Sequence, residues 1–468
     1  IQVKQRDSSI HATEREGSGA GGVSKDFTVS AQETTFISRN LPAIRQDESY
    51  CWCPEDYKVQ VSFDLQGTQF TPNEYKPYSQ KWEDVDKQLL KPENTQFGEH
   101  LSLTNPFRPE TKQAYNSEMN FEEKIICAFQ VLKKKMAWNG RYQLYSKELE
   151  KVIKKGSGSN ADLNFILISI LKDFGLEAYP VVMSRRSSGM LPYNFPSLQK
   201  LNTFFVAIHD INKQKYVFLD SSMDVPAFNI LPLELSVNKA RMLSLKEKEE
   251  KKWVNVMALS HNKSFMKIDA RIEGNQVKGH RSTVLYGQEA IEYQANENHK
   301  QDNLVSNPEN KVSQKEKLTV TNLKVKKQEN DWALIEEEFD FVLQADRTDD
   351  HLYINPMLFP QLKSNPFIQT ERVLPIEFPY PYKFTMLSTL TLPEGYEVEE
   401  LPQSQSIRSE GDGLQCKYMI QQQGNTILLN YVFHLKGYIF LSEQYKQLQE
   451  LWAKVIEKNN ALIVLKKI

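Results

Sequence analysis

The stretch Gly156-Ser157-Gly158-Ser159-Asn160-Ala161-Asp162, running straight into Leu163-Asn164-Phe165-Ile166-Leu167-Ile168-Ser169-Ile170-Leu171-Lys172-Asp173-Phe174, decides the fold. The first part is a small-residue turn. The second is too long for a typical strand and apolar on nearly every side, which predicts a buried helix with Asn160 or Asp162 near its N-cap and Gly175 as its stop. Residues 176–183, 204–208 and 216–219 read as strands, the last two joined across the turn-like 209–213. The unit is a buried helix followed by an antiparallel sheet.

This order, with these residues, resembles the transglutaminase-like core, the papain-related fold in which a Cys at a helix N-terminus faces a His and an Asp on adjacent strands. The family's turn has the form Gly-x-Cys-x-Asp, and Gly158-Ser159-Asn160-Ala161-Asp162 takes its place here. Its His follows an Asn at the start of a strand, where this chain has Leu201-Asn202-Thr203-Phe204. Its Asp ends the next strand, where this chain has Leu219-Asp220-Ser221-Ser222. The resemblance therefore implies Asn160, Thr203 and Asp220 as the triad-equivalent positions, with an amide for the thiol and a hydroxyl for the imidazole. Acyl transfer in this fold needs a thiolate made available by a nearby base; an Asn side chain is not a competent nucleophile, and Thr takes up no proton near neutral pH. Ser157 or Ser159 meets no His placed to activate it. His209 lies in the strand connection and reads as a solvated loop histidine pointing away from Asn160.

The resemblance extends to a group of large bacterial proteins in which a β-rich domain precedes the transglutaminase-like core and another follows it. The phrases that carry it are Asn40-Leu41-Pro42-Ala43-Ile44, Met136-Ala137-Trp138-Asn139-Gly140, Leu163-Asn164, Pro180-Val181-Val182-Met183-Ser184-Arg185-Arg186, Ile230-Leu231-Pro232 and Thr391-Leu392-Pro393-Glu394-Gly395-Tyr396. It implies an α+β protein: an N-terminal β-rich region over 1–115, a transglutaminase-like core over 116–245, and a β-sandwich-like C-terminal domain over 253–468. The related proteins generally carry an export signal, so the expected location is periplasmic or extracellular. This chain starts at Ile1 rather than Met, as a processed or trimmed product would.

Composition sets the outer limits. With 468 residues the chain is too long for one core of ordinary size, so two or three domains are expected. Lys+Arg number 58 against 60 Asp+Glu, which leaves no chain-wide electrostatic case for nucleic acid or anionic lipid. No run approaches the ~18 consecutive apolar residues of a membrane span. The four cysteines, Cys51, Cys53, Cys127 and Cys416, are too scattered for a disulfide framework. Cys51-Trp52-Cys53 reads as an exposed strand edge, without the further Cys or His ligands a metal site needs. Cys127 sits on an apolar helix face, where burial raises a thiol pKa. No cofactor or metal is expected; Walker, GxGxxG, HExxH and CxxC motifs are all absent.

Taken in order, residues 1 to about 25 read as a polar, Gly/Ser-rich lead, with structure expected from Phe27. The run 57–65 alternates like a strand with one wet face. Phe121, Ile125, Ala128, Phe129 and Leu132 fall at helical spacing, with Glu122 and Glu123 in the first turn and Lys133-Lys134-Lys135 at the end. Trp138, just beyond, either lines a cleft or is plain core. The long loop 184–196 carries Arg185, Arg186, Tyr193 and Phe195, which either grip an extended peptide or glycan carboxylate or pack as an Ω-loop. Residues 235–255 read as a charged connector, and 294–317 as a linker inside a mainly β half. The runs 318–325, 332–341, 385–390 and 426–433 alternate as strands, and an amphipathic helix follows from Ser442 to Val455.

The reading that results is a non-catalytic transglutaminase-like protein that binds or scaffolds a protein, peptide or glycan. Two others stand beside it. One is a cysteine-protease-class hydrolase or acyltransferase with a non-standard site; the other is a purely structural spacer, which a filled cleft would favour.

Overall fold

The computed structural model describes residues 2–16, 23–41, 43–45, 48–61, 67–69, 75–77, 81–91, 96–146, 148–194, 196–259, 261–302, 318–328 and 331–468. The chain divides into two compact units, Ile1–Asp47 and Glu48–Ile468. In the first, strands Gln2–Glu16 and Val23–Ile37 pair antiparallel in unbroken register, with Arg6 opposite Glu33 and Val3 opposite Phe36. Opposite charges and apolar pairs directly across a ladder stabilise it. The ladder begins at Gln2, so the expected unstructured lead is instead one arm of a hairpin. The expected strand over 57–65 is also absent among the described residues: Pro54–Tyr57 is a 3-10 turn, 58–61 is irregular, and 62–66 lies outside them.

Three short helices follow, α1 (Trp82–Leu90), α2 (Gln96–Leu101) and α3 (Arg108–Ala114). Then come α4 (Phe121–Lys135), α5 (Leu149–Lys155) and α6 (Asn160–Asp173). The region assigned to an N-terminal β part thus turns helical from Trp82, and its Val85, Leu89 and Phe97 join the same core as Phe129, Phe165 and Phe204. Asn120 caps α4, accepting from the Glu123 N–H while the Glu123 carboxylate accepts from the Asn120 N–H. That reciprocal pair satisfies two otherwise unpaired donors and fixes where the helix begins. Every residue of α6 from Asn160 to Leu171 is buried. Each buried Leu, Ile or Phe there contributes roughly 1.5–3 kcal/mol against exposure, as an upper bound. Gly175, at φ +73°, ends the helix in the left-handed conformation, with Leu176 N–H reaching back to Leu171 O at 3.0 Å.

The helix packs on a five-stranded antiparallel sheet of β1 (Glu177–Met183), β2 (Thr203–Asp210), β3 (Lys215–Leu219), β4 (Ala240–Met242) and β5 (Trp253–Val254). Their spatial order is β5-β4-β1-β2-β3. Residues 235–255 are therefore not a free connector. Their strands complete the core sheet, and the one-turn helix α7 (Glu249–Lys252) sits between β4 and β5. Charge in this segment is used inside: Arg241 is fully buried, donates to Asp86 at 2.6 and 2.8 Å and to Glu249 at 2.6 and 3.0 Å, and lies 5.6 Å from the Trp82 ring and 5.0 Å from the Trp253 ring. Lys252 reaches the same Asp86 at 3.0 Å.

The C-terminal half is built on an eight-stranded sheet of β6 (Asn262–Glu273), β7 (Gln276–Tyr286), β8 (Leu318–Gln328), β9 (Asp331–Gln344), β10 (Tyr382–Thr391), β11 (Gln405–Arg408), β12 (Leu414–Gln423) and β13 (Thr426–Leu435). The order is β8-β9-β7-β6-β10-β13-β12-β11, with β6 and β10 parallel. Helix α8 (Gln288–Asp302) takes the first part of the expected linker, 294–302, and the remainder, 303–317, lies outside the described residues. One face of the sheet, alternating buried and exposed along β6, packs against helix α9 (Tyr445–Asn459) and a four-stranded sheet containing His351–Ile354 and Ile463–Lys467. The fold is α+β. Among the described residues no helix is long and apolar enough to cross a membrane.

Removing one partner of a buried ion pair strands the other. Arg241→Met is expected to lower unfolding free energy by about 3–5 kcal/mol in guanidinium titration. A loss below about 1 kcal/mol would mean that Lys252 alone neutralises Asp86.

Candidate functional site

The N-terminus of α6 is set by three side chains. Ser159 is the N-cap, with Asn160 and Asp162 close behind it as the sequence suggested: its hydroxyl accepts from Asp162 N–H, and Asp162 Oδ2 accepts from Ser159 N and Oγ, both at 2.7 Å. Gly158 precedes it because a Cβ there would stand 2.8 Å from Asp162 Cβ and 2.6 Å from a Val152 methyl. The Gly-x-Asn-x-Asp spacing thus has a steric and a capping reason independent of any chemistry. Ser159 is itself buried and fully occupied by the cap.

Asn160 is the first helical residue and is fully buried. Its Nδ2 donates to Thr203 Oγ1 at 2.8 Å and to Phe204 O at 3.0 Å, and its Oδ1 accepts from Gln143 N at 2.9 Å. One turn along, Asn164 Nδ2 donates to Phe204 O at 2.8 Å and Asp220 Oδ2 at 2.9 Å, while its Oδ1 accepts from Ser221 N at 2.9 Å. Asp220 Oδ1 accepts from Ser222 N at 2.9 Å and from Ser222 Oγ. Burial pushes the Asp220 carboxyl above its ordinary pKa, against hydrogen bonds from Ser222, Asn164 and Asn160 that pull it down. The structure brings Asn160, Thr203 and Asp220 together. Sequence reasoning missed Asn164, whose signal was a lone amide one turn from Asn160 in an otherwise apolar helix.

Around this network the other candidates separate. Trp138 is half-buried, donates its indole N–H to Arg141 O at 3.0 Å and packs at 5.1 Å on Tyr142. The Tyr142 hydroxyl lies 3.4 Å from Ser222 Oγ, and the Arg185 guanidinium lies 6.0 Å from the Tyr142 ring and 3.7 Å from Glu234. Trp138 and Arg185 therefore border the Asp220 end through Tyr142, another residue the sequence reading did not single out. Arg186 turns away, donating at 2.7 Å to the carbonyls of Phe378 and Pro379 and stacking 4.3 Å from the Trp52 ring. Tyr193 packs 5.1 Å from Trp253, and its carbonyl accepts from the Trp82 indole at 2.7 Å. Phe195 lies outside the described residues. Arg186 and Tyr193 belong to a packed loop and do not face Asn160.

His209 is not the solvated loop residue expected from sequence. It belongs to β2, its side chain is 15% exposed, and it stacks 4.8 Å from Tyr216 and lies 3.5 Å from Glu177. Cys51 and Cys53 do not form an exposed strand edge either: they flank a bend, one half-buried and the other buried. Burial pushes the thiols of Cys51 and Cys416 up to about 11, and those of Cys53 and Cys127 above the usual value. Asn160, Thr203, Asn164 and Asp220 share one buried hydrogen-bond network that contains no Cys or His among the described residues, and beside it Ser221 Oγ is buried without a partner.

The profile of a domain of unknown function with a solved structure, DUF3858, matches residues 350–465. Among solved structures, a "putative protease" from Parabacteroides distasonis ATCC 8503 is similar over 99% of this chain and 70% of its own, at 11% identity and a TM-score of 0.52. At that identity the likeness is one of fold. No curated protein matches the chain.

Truncating Asn160 to Ala leaves Thr203 Oγ1 and Gln143 N without their partner, and is expected to cost about 1–3 kcal/mol in denaturant unfolding. Asp220 gives a pH test. Its folded pKa is raised, so between the ordinary carboxyl value near 3.9 and the folded value the folded chain binds more protons than the unfolded one, and stability falls as pH rises. The stability of wild type relative to Asp220→Asn, which does not titrate, should therefore decline in unfolding midpoints as pH rises above about 4. A rise over that range would mean that the hydrogen bonds outweigh burial.

Proposed function

We propose that this chain is a non-catalytic protein of the transglutaminase-like kind, with a binding or scaffolding role toward a protein, peptide or glycan at the bacterial cell envelope. The observation that carries the reading is the buried 2.8 Å hydrogen bond from Asn160 Nδ2 to Thr203 Oγ1, at the two positions where the resemblance calls for thiol and imidazole. An amide is not a nucleophile, and the Thr203 hydroxyl meets an amide donor where an activating base would have to stand. Asp220, which would orient a histidine, instead accepts from Asn164 and Ser222. The envelope location rests on the resemblance to exported bacterial proteins.

A hydrolase or acyltransferase of the cysteine-protease class is the second reading, favoured by the description of the similar solved structure as a "putative protease". Against it stand the raised thiol pKa values of Cys51, Cys53, Cys127 and Cys416, since a reactive cysteine needs a lowered one.

Two alkylation experiments read by mass spectrometry decide between them. In the native chain all four thiols should react more slowly at neutral pH than a free peptide thiol; one reacting far faster would restore the enzyme reading and name its nucleophile. In the double variant Asn160→Cys, Thr203→His, the new thiol should titrate below the free value of about 8.5, as read from the pH dependence of its alkylation rate. An ordinary thiol pKa there would sink the assignment of these positions.

A further inference from the structure

Away from the Asn160 network, a cavity of about 60 Å³ opens where three parts of the 48–468 unit meet. Trp52 comes from the segment before the helices, Leu191 and Val237 from loops of the core sheet, Met257 from the turn after β5, and Ile439 from the C-terminal half. These apolar groups form its walls. At roughly 10–15 Å³ per water-sized group, the volume takes about four to six such groups, the size of a Leu side chain.

Three charged groups on the wall already have hydrogen-bond partners. Glu377 accepts from Trp52 N at 2.7 Å and Tyr57 Oη at 2.8 Å, Asp56 accepts from Met190 N at 2.7 Å, and Arg186 is held by two backbone carbonyls. Ser184 and Lys239 differ. Ser184 is 2% exposed, and its Oγ has no hydrogen-bond partner among the described residues. Lys239 is exposed, holds its ammonium 4.7 Å above the Tyr193 ring, and has no carboxylate partner among those residues. A buried hydroxyl without a partner costs free energy that a ligand can recover, and a lysine beside an apolar hole is complementary to an anion. The carboxylates of Glu377 and Asp56 on the same wall lie in the fields of Arg186 and Lys200, which leaves Lys239 as the cation without a carboxylate beside it among the described residues, and a purely apolar ligand would leave both polar groups unused.

We propose that this cavity captures the C-terminal end of a peptide whose last residue is aliphatic. The side chain fills the space between Trp52, Val237 and Met257, the terminal carboxylate meets Lys239, and Ser184 Oγ donates to the ligand. None of Asn160, Thr203 and Asp220 lines the cavity. The proposal therefore stands apart from the non-catalytic reading.

The probe is acetyl-Gly-Gly-Leu with a free C-terminus, titrated into the full chain and followed by calorimetry and tryptophan fluorescence. Saturable binding is expected, at least about tenfold weaker for the C-terminally amidated peptide and for a peptide ending in Lys, and weakened to the same degree by Lys239→Met while Lys239→Arg retains it. Lys239 is a surface residue, so these variants test the site in a folded chain, checked by circular dichroism. Equal affinity for acid and amide, indifference to Lys239→Met, or no saturable binding up to about 5 mM would each overturn the proposal.

Discussion

A helix buried along nearly its whole length must find partners inside the protein for its first N–H groups and for every polar side chain it carries. α6 meets most of that demand with two layers, leaving only Asp162 Oδ1 without a partner among the described residues of the helix. Ser159 and Asp162 close the helix end on itself. Asn160 and Asn164, one turn apart, then tie it to the sheet, both donating to the Phe204 carbonyl of β2 and reaching Thr203 on one side and Asp220 on the other. Position and identity are coupled here. Any residue at 160 must fill a closed space and satisfy Thr203, Phe204 O and Gln143 N together, which an amide does and an alanine cannot.

Polar contacts also join the core sheet to the C-terminal half. Arg186 holds the backbone at Phe378 and Pro379, Glu377 holds Trp52 and Tyr57, and Arg372 reaches Ser49 O at 2.5 Å and Glu48 at 3.4 Å. These contacts converge on residues 372–379 from two separate parts of the sequence. Arginine is suited to this task because its planar fork can grip two oxygens at once.

The helix–sheet order was legible because α6 and its strands obey local rules: an apolar run with a glycine stop, and β-branched runs separated by turns. The same holds for the alternation along β9, β10 and β13. What was not legible depended on distant partners. Arg241 sits in a charged stretch that reads as solvated, and only Asp86, far upstream, makes it a core residue. α1 to α3 are short and weakly periodic, so their place in the core comes from packing and not from propensity. At the site, the coincidence of Asn160, Thr203 and Asp220 was readable only through the family resemblance. Asn164 and Tyr142 were not, because their roles are fixed by contacts across the fold. For Arg186 and Tyr193 the sequence left two readings open, a ligand grip or a packed loop, and contacts with distant parts of the chain decide for packing.

The parallel pairing of β6 with β10 constrains the order in which the chain can assemble. β6 begins at Asn262, but its neighbour on that side spans Tyr382–Thr391, and β10 in turn needs Thr426–Leu435 beyond it. During synthesis the helix–sheet core has all of its strands once Val254 has emerged. β6 and β7 can form a hairpin soon after. The C-terminal sheet then waits, with one side of β6 unpaired, for about a hundred further residues, as closing so long a connection is slow and leaves strand edges exposed meanwhile. The half of the molecule that ends at the ribosome last is thus the half most exposed to mispairing while the chain is being made.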